Sequence, residues 1–230
     1  MVSVFDAVLT ELIYRWYCPK GGITLDPFAG GSVRGIVGNL LGRQYVGVDL
    51  SKRQVRENRR QAKIVCGEPR PKWIVGDSAQ LLQLVPGLQA DAILSCPPYW
   101  NLERYGNDPR DLSTMSWIEF LHTYREICRQ AVMLLKPDRF ACLVVGDVRD
   151  SRGIYVNLPA QTIAAFQDAG VRLYNEGVLL TCVGSAAIRA RRPFASSRKL
   201  AKVHQNVLIF VKGDPKRATR AIEESELRVI

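Results

Sequence analysis

Three β-rich runs in this chain each end in an aspartate: ITLD at Asp26, QYVGVD at Asp49 and WIVGD at Asp77. Helical patterns alternate with them, over Val33 to Leu41, 51 to 63 and 78 to 84, and a further run, AILS, follows. Strand and helix in alternation predict an α/β fold, a parallel sheet with helices on both faces. The carboxyl ends of such strands line one crevice, so the three carboxylates should converge on one elongated ligand. Taken singly, each aspartate is as well explained by a solvated strand end or a helix cap. The first turn carries Gly30 and Gly31, which let the backbone approach that ligand, and Asp49 follows Gly30 by 19 residues. That offset brings an acidic side chain to a ribose diol. No Gly-Lys-Ser/Thr follows the glycines, which excludes a triphosphate loop, and the full Gly-x-Gly-x-x-Gly spacing is missing.

The rest of the chain extends the same pattern. Apolar spacing predicts a helix over 4 to 17, closed by Pro19, Gly21 and Gly22, and another over 116 to 135 with Pro137 beyond its end. FACLVVGD reads as a buried strand, and 159 to 169 as a helix that Asn157 and Pro159 begin and Gly170 stops. Two long β-rich segments, 171 to 183 and 203 to 211, are joined by a polar, basic connection, and the charged tail from Pro215 reads as a surface helix or disordered. Residues 1–214 thus form one domain. At 47% hydrophobic residues the 230-residue chain is no disordered tail protein. Six scattered cysteines and only two histidines argue against a disulfide framework or a zinc site, so no metal is expected. No signal peptide and no membrane-length apolar run is present, which predicts a cytoplasmic protein without a membrane partner. Lys and Arg outnumber Asp and Glu by 32 to 22, a net charge of +10 that favours a polyanion.

The most specific segment is Ser95, Cys96, Pro97, Pro98, Tyr99 and Trp100 at the end of the fourth run. Two prolines fix an extended backbone without N–H donors, leaving carbonyls and an aromatic pair facing the crevice. A flat base can stack on Tyr99 while those carbonyls accept from its amino group. A rigid loop with a core tyrosine is the plainer alternative.

With DPFAGG and CPPYW in that order, VGVD, Gly76-Asp77 and a closing HQNVLIFVKGD, the chain resembles the S-adenosylmethionine-dependent DNA amino-methyltransferases from about residue 4 to 214. These methylate adenine N6 or cytosine N4, and small members of this kind are common on phages. The resemblance implies a Rossmann-like class I methyltransferase fold, a mostly parallel seven-stranded sheet with an antiparallel end hairpin. It also implies roles. Asp26, Phe28, Ala29, Gly30 and Gly31 surround the methionine part of S-adenosylmethionine, Asp49 binds the ribose and Asp77 the adenine amino group. Pro97, Pro98 and Tyr99 hold the target base.

Two positions depart from the family pattern. The turn reads Gly30, Gly31, Ser32 where Gly-Ser-Gly is usual, and Cys96 stands where Asp, Asn or Ser accepts from the base amino group. A thiol accepts poorly, so Ser95 or the Pro97 carbonyl should do more. Cytosine C5 methyltransferases place a nucleophilic cysteine beside a proline there, which makes Cys96 a candidate nucleophile, with Asp147 assisting and Arg189 and Arg191 matching a later motif. A buried structural cysteine and an inactive DNA-binding module are further alternatives; Pro-Pro-Tyr favours amino methylation. For DNA, the connection 184 to 202 offers Arg189, Arg191, Arg192, Arg198, Lys199 and Lys202 around Phe194 with no acidic residue, or else a solvated loop. The basic face at Lys52 to Lys63 reads as solvated, and residues 101 to 115 as a lid over the base.

Overall fold

The computed structural model describes residues 5–180 and 186–222, with residues 186–189 as backbone. Seven strands form one sheet: β1 (Ile23–Asp26), β2 (Gln44–Asp49), β3 (Lys72–Val75), β4 (Ala90–Ser95), β5 (Leu135–Val145), β6 (Arg172–Leu180) and β7 (His204–Lys212). Their order is β3-β2-β1-β4-β5-β7-β6. The first five run parallel, and β7 is antiparallel to both β5 and β6. The expected α/β fold with an antiparallel end hairpin is therefore present.

Alternation along the strands builds two cores. Leu25, Ile93, Leu143 and Phe210 face α5 (Trp117–Leu134) and α6 (Leu158–Asp168). Ala92, Leu94, Cys142, Val144 and Ile209 face the other way, toward Ile13 and Tyr14 of α1 (Ala7–Tyr17). A third cluster, Tyr45, Trp73, Val55 and Ala62, seats α3 (Lys52–Val65) beside α2 (Val33–Leu40). All six residues of β4 are buried, as a central parallel strand covered on both faces should be.

Local chemistry sets the helix ends. Asp6 caps α1 through Leu9 N–H at 2.8 Å, Ser51 caps α3, and Ser116 with Glu119 forms a capping box on α5. The sixth helix starts differently. Its Leu158 N–H donates to Asp147 at 3.0 Å, so the carboxylate at the end of β5 caps it from a distance of eleven residues.

Three expectations need correction. Pro137 does lie beyond the end of α5, but the strand expected at FACLVVGD begins earlier, at Leu135 directly where α5 ends, and takes in Pro137. The basic connection is not a loop between 186 and 197 but helix α7 (Ala186–Ser197). Alanine and arginine favour the helix, and Pro193 costs it one backbone donor. The chain leaves α7 through Arg198 at φ +54°. The 78 to 84 segment splits into a 3-10 turn, Ser78–Gln80, and a short α4 (Leu81–Leu84). Residue 4 of the first expected helix, residues 181–183 of the β-rich segment and 184–185 of the connection lie outside the described residues, as does the tail from 223. Its first residues form α8 (Pro215–Arg220).

Candidate active site

Parallel pairing brings the ends of β1, β2 and β4 together, with Asp26 opposite Gly47 and Leu25 opposite Ile93. Asp26 itself is fully buried. Its Oδ2 accepts from Arg34 Nε at 2.7 Å and Tyr45 OH at 2.8 Å, and its Oδ1 from the Ser95 hydroxyl and the Phe28 N–H. Arg34 then donates to the carbonyls of Phe28 (2.8 Å) and Ala29 (3.0 Å). The buried ion pair thus holds the turn from inside, and Asp26 and Ser95 face each other rather than a ligand. Arg34 went unnoticed in the sequence because an arginine inside a helix pattern ordinarily reads as solvent-facing.

The turn that Arg34 secures carries Gly30 at φ +50°, a conformation that suits glycine, and nothing stands within 4 Å of a side chain added at Gly31. Asn58 of α3 donates to the Gly30 carbonyl at 2.7 Å and fixes the turn from its far side. A Cβ at Gly47 would stand 2.8 Å from that of Ala29, so the turn packs against β2 only because position 47 lacks a side chain.

Asp49 is half-buried and reaches back to this turn: Gly30 N–H donates to Oδ2 and Ser51 N–H to Oδ1, both at 2.8 Å. Burial pushes its carboxyl pKa up, opposed by those two N–H donors, and the charges of Asp26 and Asp111 push the same way as burial. Each oxygen keeps a lone pair for a further donor. Asp77, half-exposed at the end of the next strand, caps the Ser78–Gln80 turn through Ala79 N–H at 2.9 Å. Ser78 in turn donates to the Pro27 carbonyl at 2.6 Å, tying the two turns together. An open glycine cradle flanked by two accessible carboxylates fits a ribose-bearing cofactor such as the resemblance implies.

One strand away, the Ser95–Trp100 segment forms the other wall. Pro97 is buried, Cys96, Pro98 and Tyr99 are half-buried, and among the described residues no donor reaches the Pro97 or Pro98 carbonyl. Cys96 Sγ lies 3.4 Å from Tyr99 OH, which lies 3.4 Å from the Val144 carbonyl. Burial pushes the pKa of both groups up. The Tyr99 ring rests on Gly146, where an added Cβ would come within 2.8 Å of it. Trp100, at φ +49°, donates from its indole to the Met115 carbonyl at 3.0 Å and so closes the 101–115 loop. That loop is internally bonded, Tyr105 N–H to Ser113 and Ser113 to Asp111. Its charges act on both halves: Asp111 on Asp49, Glu103 on Cys96.

Other expected residues fall elsewhere. Asp147 spends Oδ1 on the Val148 and Leu158 N–H groups. Arg191, Arg192 and Arg198 are exposed, Lys199 and Lys202 half-buried, and the Arg189 side chain lies outside the described residues. Among the described residues no helix is long and apolar enough to cross a membrane.

Comparison with known proteins bears on the family and the fold. Residues 6–60, which contain α1, the glycine turn and Asp49, match the family model for DNA methylases, so the amino-methyltransferase resemblance is supported over its first motif. No curated protein matches the sequence. Among solved structures, TrmN from Thermus thermophilus is 20% identical with a TM-score of 0.60, over 90% of this chain and 49% of its own. This chain thus spans about half of TrmN. Magnesium protoporphyrin IX methyltransferase from Synechocystis with bound S-adenosylmethionine is 16% identical, TM-score 0.54, over 90% and 77%. A TehB-like S-adenosylmethionine-dependent methyltransferase from Corynebacterium glutamicum is 16% identical, TM-score 0.53, over 88% and 86%. These likenesses establish the Rossmann-like methyltransferase fold.

Proposed function

We propose that this chain, whose first quarter carries the DNA methylase match, transfers a methyl group from S-adenosylmethionine to a base amino group in DNA, adenine N6 or cytosine N4. The observation that carries the reading is the meeting, one strand apart at one sheet edge, of the Gly30-Gly31 turn with Asp49 and the Cys96-Pro97-Pro98-Tyr99 segment. The cofactor, when bound, would supply an electrophilic methyl on a positively charged sulfur, which would keep the bonding pair and leave as the neutral thioether. Asp49 accepts from the ribose hydroxyls, Asp77 from the adenine amino group, and the Phe28–Gly31 turn passes beside the methionine portion. Asp26 acts through Arg34, by shaping that turn.

For the target base, Tyr99 offers a stacking surface and the proline carbonyls accept from the amino N–H groups. Those hydrogen bonds draw the nitrogen lone pair out of the ring and stabilise positive charge on nitrogen as its bond to carbon forms. The proton then leaves to water. Ser95 is fully buried, its hydroxyl donates to Asp26 and its oxygen accepts the Phe28 N–H at 3.3 Å, so the carbonyls rather than the hydroxyl take the place of the acceptor that Cys96 lacks.

Cytosine C5 chemistry is the second reading, since a thiol does stand in the loop. Against it, burial raises the Cys96 pKa, so the thiolate that must attack is scarce, and Asp147 holds α6. The intact glycine turn and Asp49 speak against an inactive module. The test is incubation with labelled cofactor and plasmid, digestion to nucleosides and mass spectrometry of the methylated base. N6-methyladenine or N4-methylcytosine supports the proposal; 5-methylcytosine, or no transfer, overturns it.

A further inference from the structure

The residues that follow β5 form a hairpin that no part of the reaction above uses. Val156 N–H bonds to the Val148 carbonyl at 3.0 Å, Arg149 pairs with Tyr155, and Asp150 turns the chain by accepting from the N–H groups of Arg152 and Ile154. The Arg149 guanidinium carbon stands over the Tyr155 ring, 3.7 Å from its centroid, and the side chain donates to the Gly153 carbonyl at 2.8 Å. The segment leaving α7 packs on the same hairpin. Lys202 Nζ is 5.8 Å from the Tyr155 centroid, and Lys199 covers Gly153 so closely that an added Cβ would meet its ammonium at 2.2 Å. Among the described residues none of Arg149, Lys199 and Lys202 has a carboxylate at ion-pair distance, while Asp150 is engaged by Arg152. Partial burial lowers the Lys202 pKa, opposed by Asp147. These are cations held in place with no carboxylate in contact among the described residues. Ile154, directly after the Asp150–Gly153 turn, stands 59% exposed, and Leu200, next to Lys199 in the chain, 73%.

Position gives the cluster its meaning. The hairpin leaves the sheet directly after Gly146, the residue on which the Tyr99 ring rests. We infer that the 148–156 hairpin and the 198–202 segment form a duplex-opening contact, in which Arg149, Lys199 and Lys202 grip phosphates and Ile154 enters the base stack beside the target nucleotide. The inference rests on the proposed DNA substrate and adds to it the element that frees the base. A base must leave the stack before Tyr99 can hold it, and an apolar wedge that fills the gap offsets part of the unstacking cost. Fixed cations on either side hold the distorted backbone without ordering long side chains first.

Two measurements test this. Fluorescence anisotropy with a labelled duplex, over a range of salt, reads the phosphate contacts without turnover. Arg149→Gln with Lys199→Gln and Lys202→Gln should flatten the slope of log affinity against log salt by about 2 to 3, at roughly 0.9 per phosphate. For Ile154→Ala, the ratio of kcat/KM on duplex to that on single-stranded DNA should fall about tenfold, because only the duplex has a stack to open. Circular dichroism confirms folding of each variant. An unchanged slope, or an unchanged ratio, overturns the inference. Should the wild type methylate no DNA, the proposed function fails, and the slope alone still decides whether this surface grips phosphates.

Discussion

Replacing Arg34 with methionine tests whether the glycine turn is held from inside. The guanidinium is 5% exposed and engages Asp26 at 2.7 Å and the carbonyls of Phe28 and Ala29 at 2.8 and 3.0 Å. Methionine fills similar space but leaves the Asp26 charge buried with only Tyr45, Ser95 and the Phe28 N–H as donors. Breaking a buried ion pair from one side costs about 3 to 5 kcal/mol. The two carbonyl bonds are partly included in that figure because all three share one guanidinium, so about 4 kcal/mol is expected. For a chain of this size that lowers the melting temperature by about 8 to 16 °C. Urea unfolding, read as a midpoint shift at constant slope, measures the loss. If the cost comes from uncompensated charge, Asp26→Asn added to Arg34→Met should restore at least about 1 kcal/mol, since the amide keeps an acceptor and drops the charge. A single variant within about 1 kcal/mol of wild type, or a double variant no better than the single, refutes the reasoning.

Asp49→Ala should weaken S-adenosylmethionine binding roughly tenfold or more, at about 1.5 to 3 kcal/mol per charged hydrogen bond, by calorimetric titration. Burial raises the Asp49 carboxyl pKa, so wild-type affinity should fall with decreasing pH sooner than an exposed aspartate would allow; Asp49→Asn should flatten that dependence. Cys96→Ser should keep or gain activity, and 5-fluorocytosine DNA should give no denaturant-resistant adduct; a dead, folded, cofactor-binding Cys96→Ser with an adduct on the parent enzyme would establish C5 chemistry instead. Gly146→Ala should displace the Tyr99 ring and raise KM for DNA with cofactor affinity unchanged, measured by steady-state kinetics; equal KM would remove Tyr99 from the base site.

The sheet was legible where side-chain pattern and backbone need coincide. ITLD, QYVGVD and AILS are short and largely apolar, as strands of a covered sheet should be, and the turns after ITLD and AILS carry glycine or proline. The glycine turn and the Pro-Pro-Tyr wall could be read the same way, because their chemistry is local. What escaped depends on partners far away in sequence. Arg34 makes sense only once β1 stands behind it, and Asp147 is free for a base only until α6 is seen to begin on it. The seventh helix escaped for another reason: alanine and arginine in AAIRARRPFASS favour a helix, but the internal Pro193 reads as a break.

The hydroxyl of Ser95 on the carboxylate of Asp26 has a consequence for how such an enzyme can change. It pins two neighbouring strands, one carrying the glycine turn proposed for the cofactor and the other the Pro-Pro-Tyr segment proposed for the base, at a spacing of about 4.8 Å that no surface loop controls. The gap across which a methyl must travel is therefore gauged by the sheet, while the 101–115 loop, the 148–156 hairpin and α7 hang outside that gauge. Those three elements are interchangeable parts. Grafting them from a relative of different sequence preference should alter which site on a nucleic acid is chosen, leaving the reach of the transfer as it was.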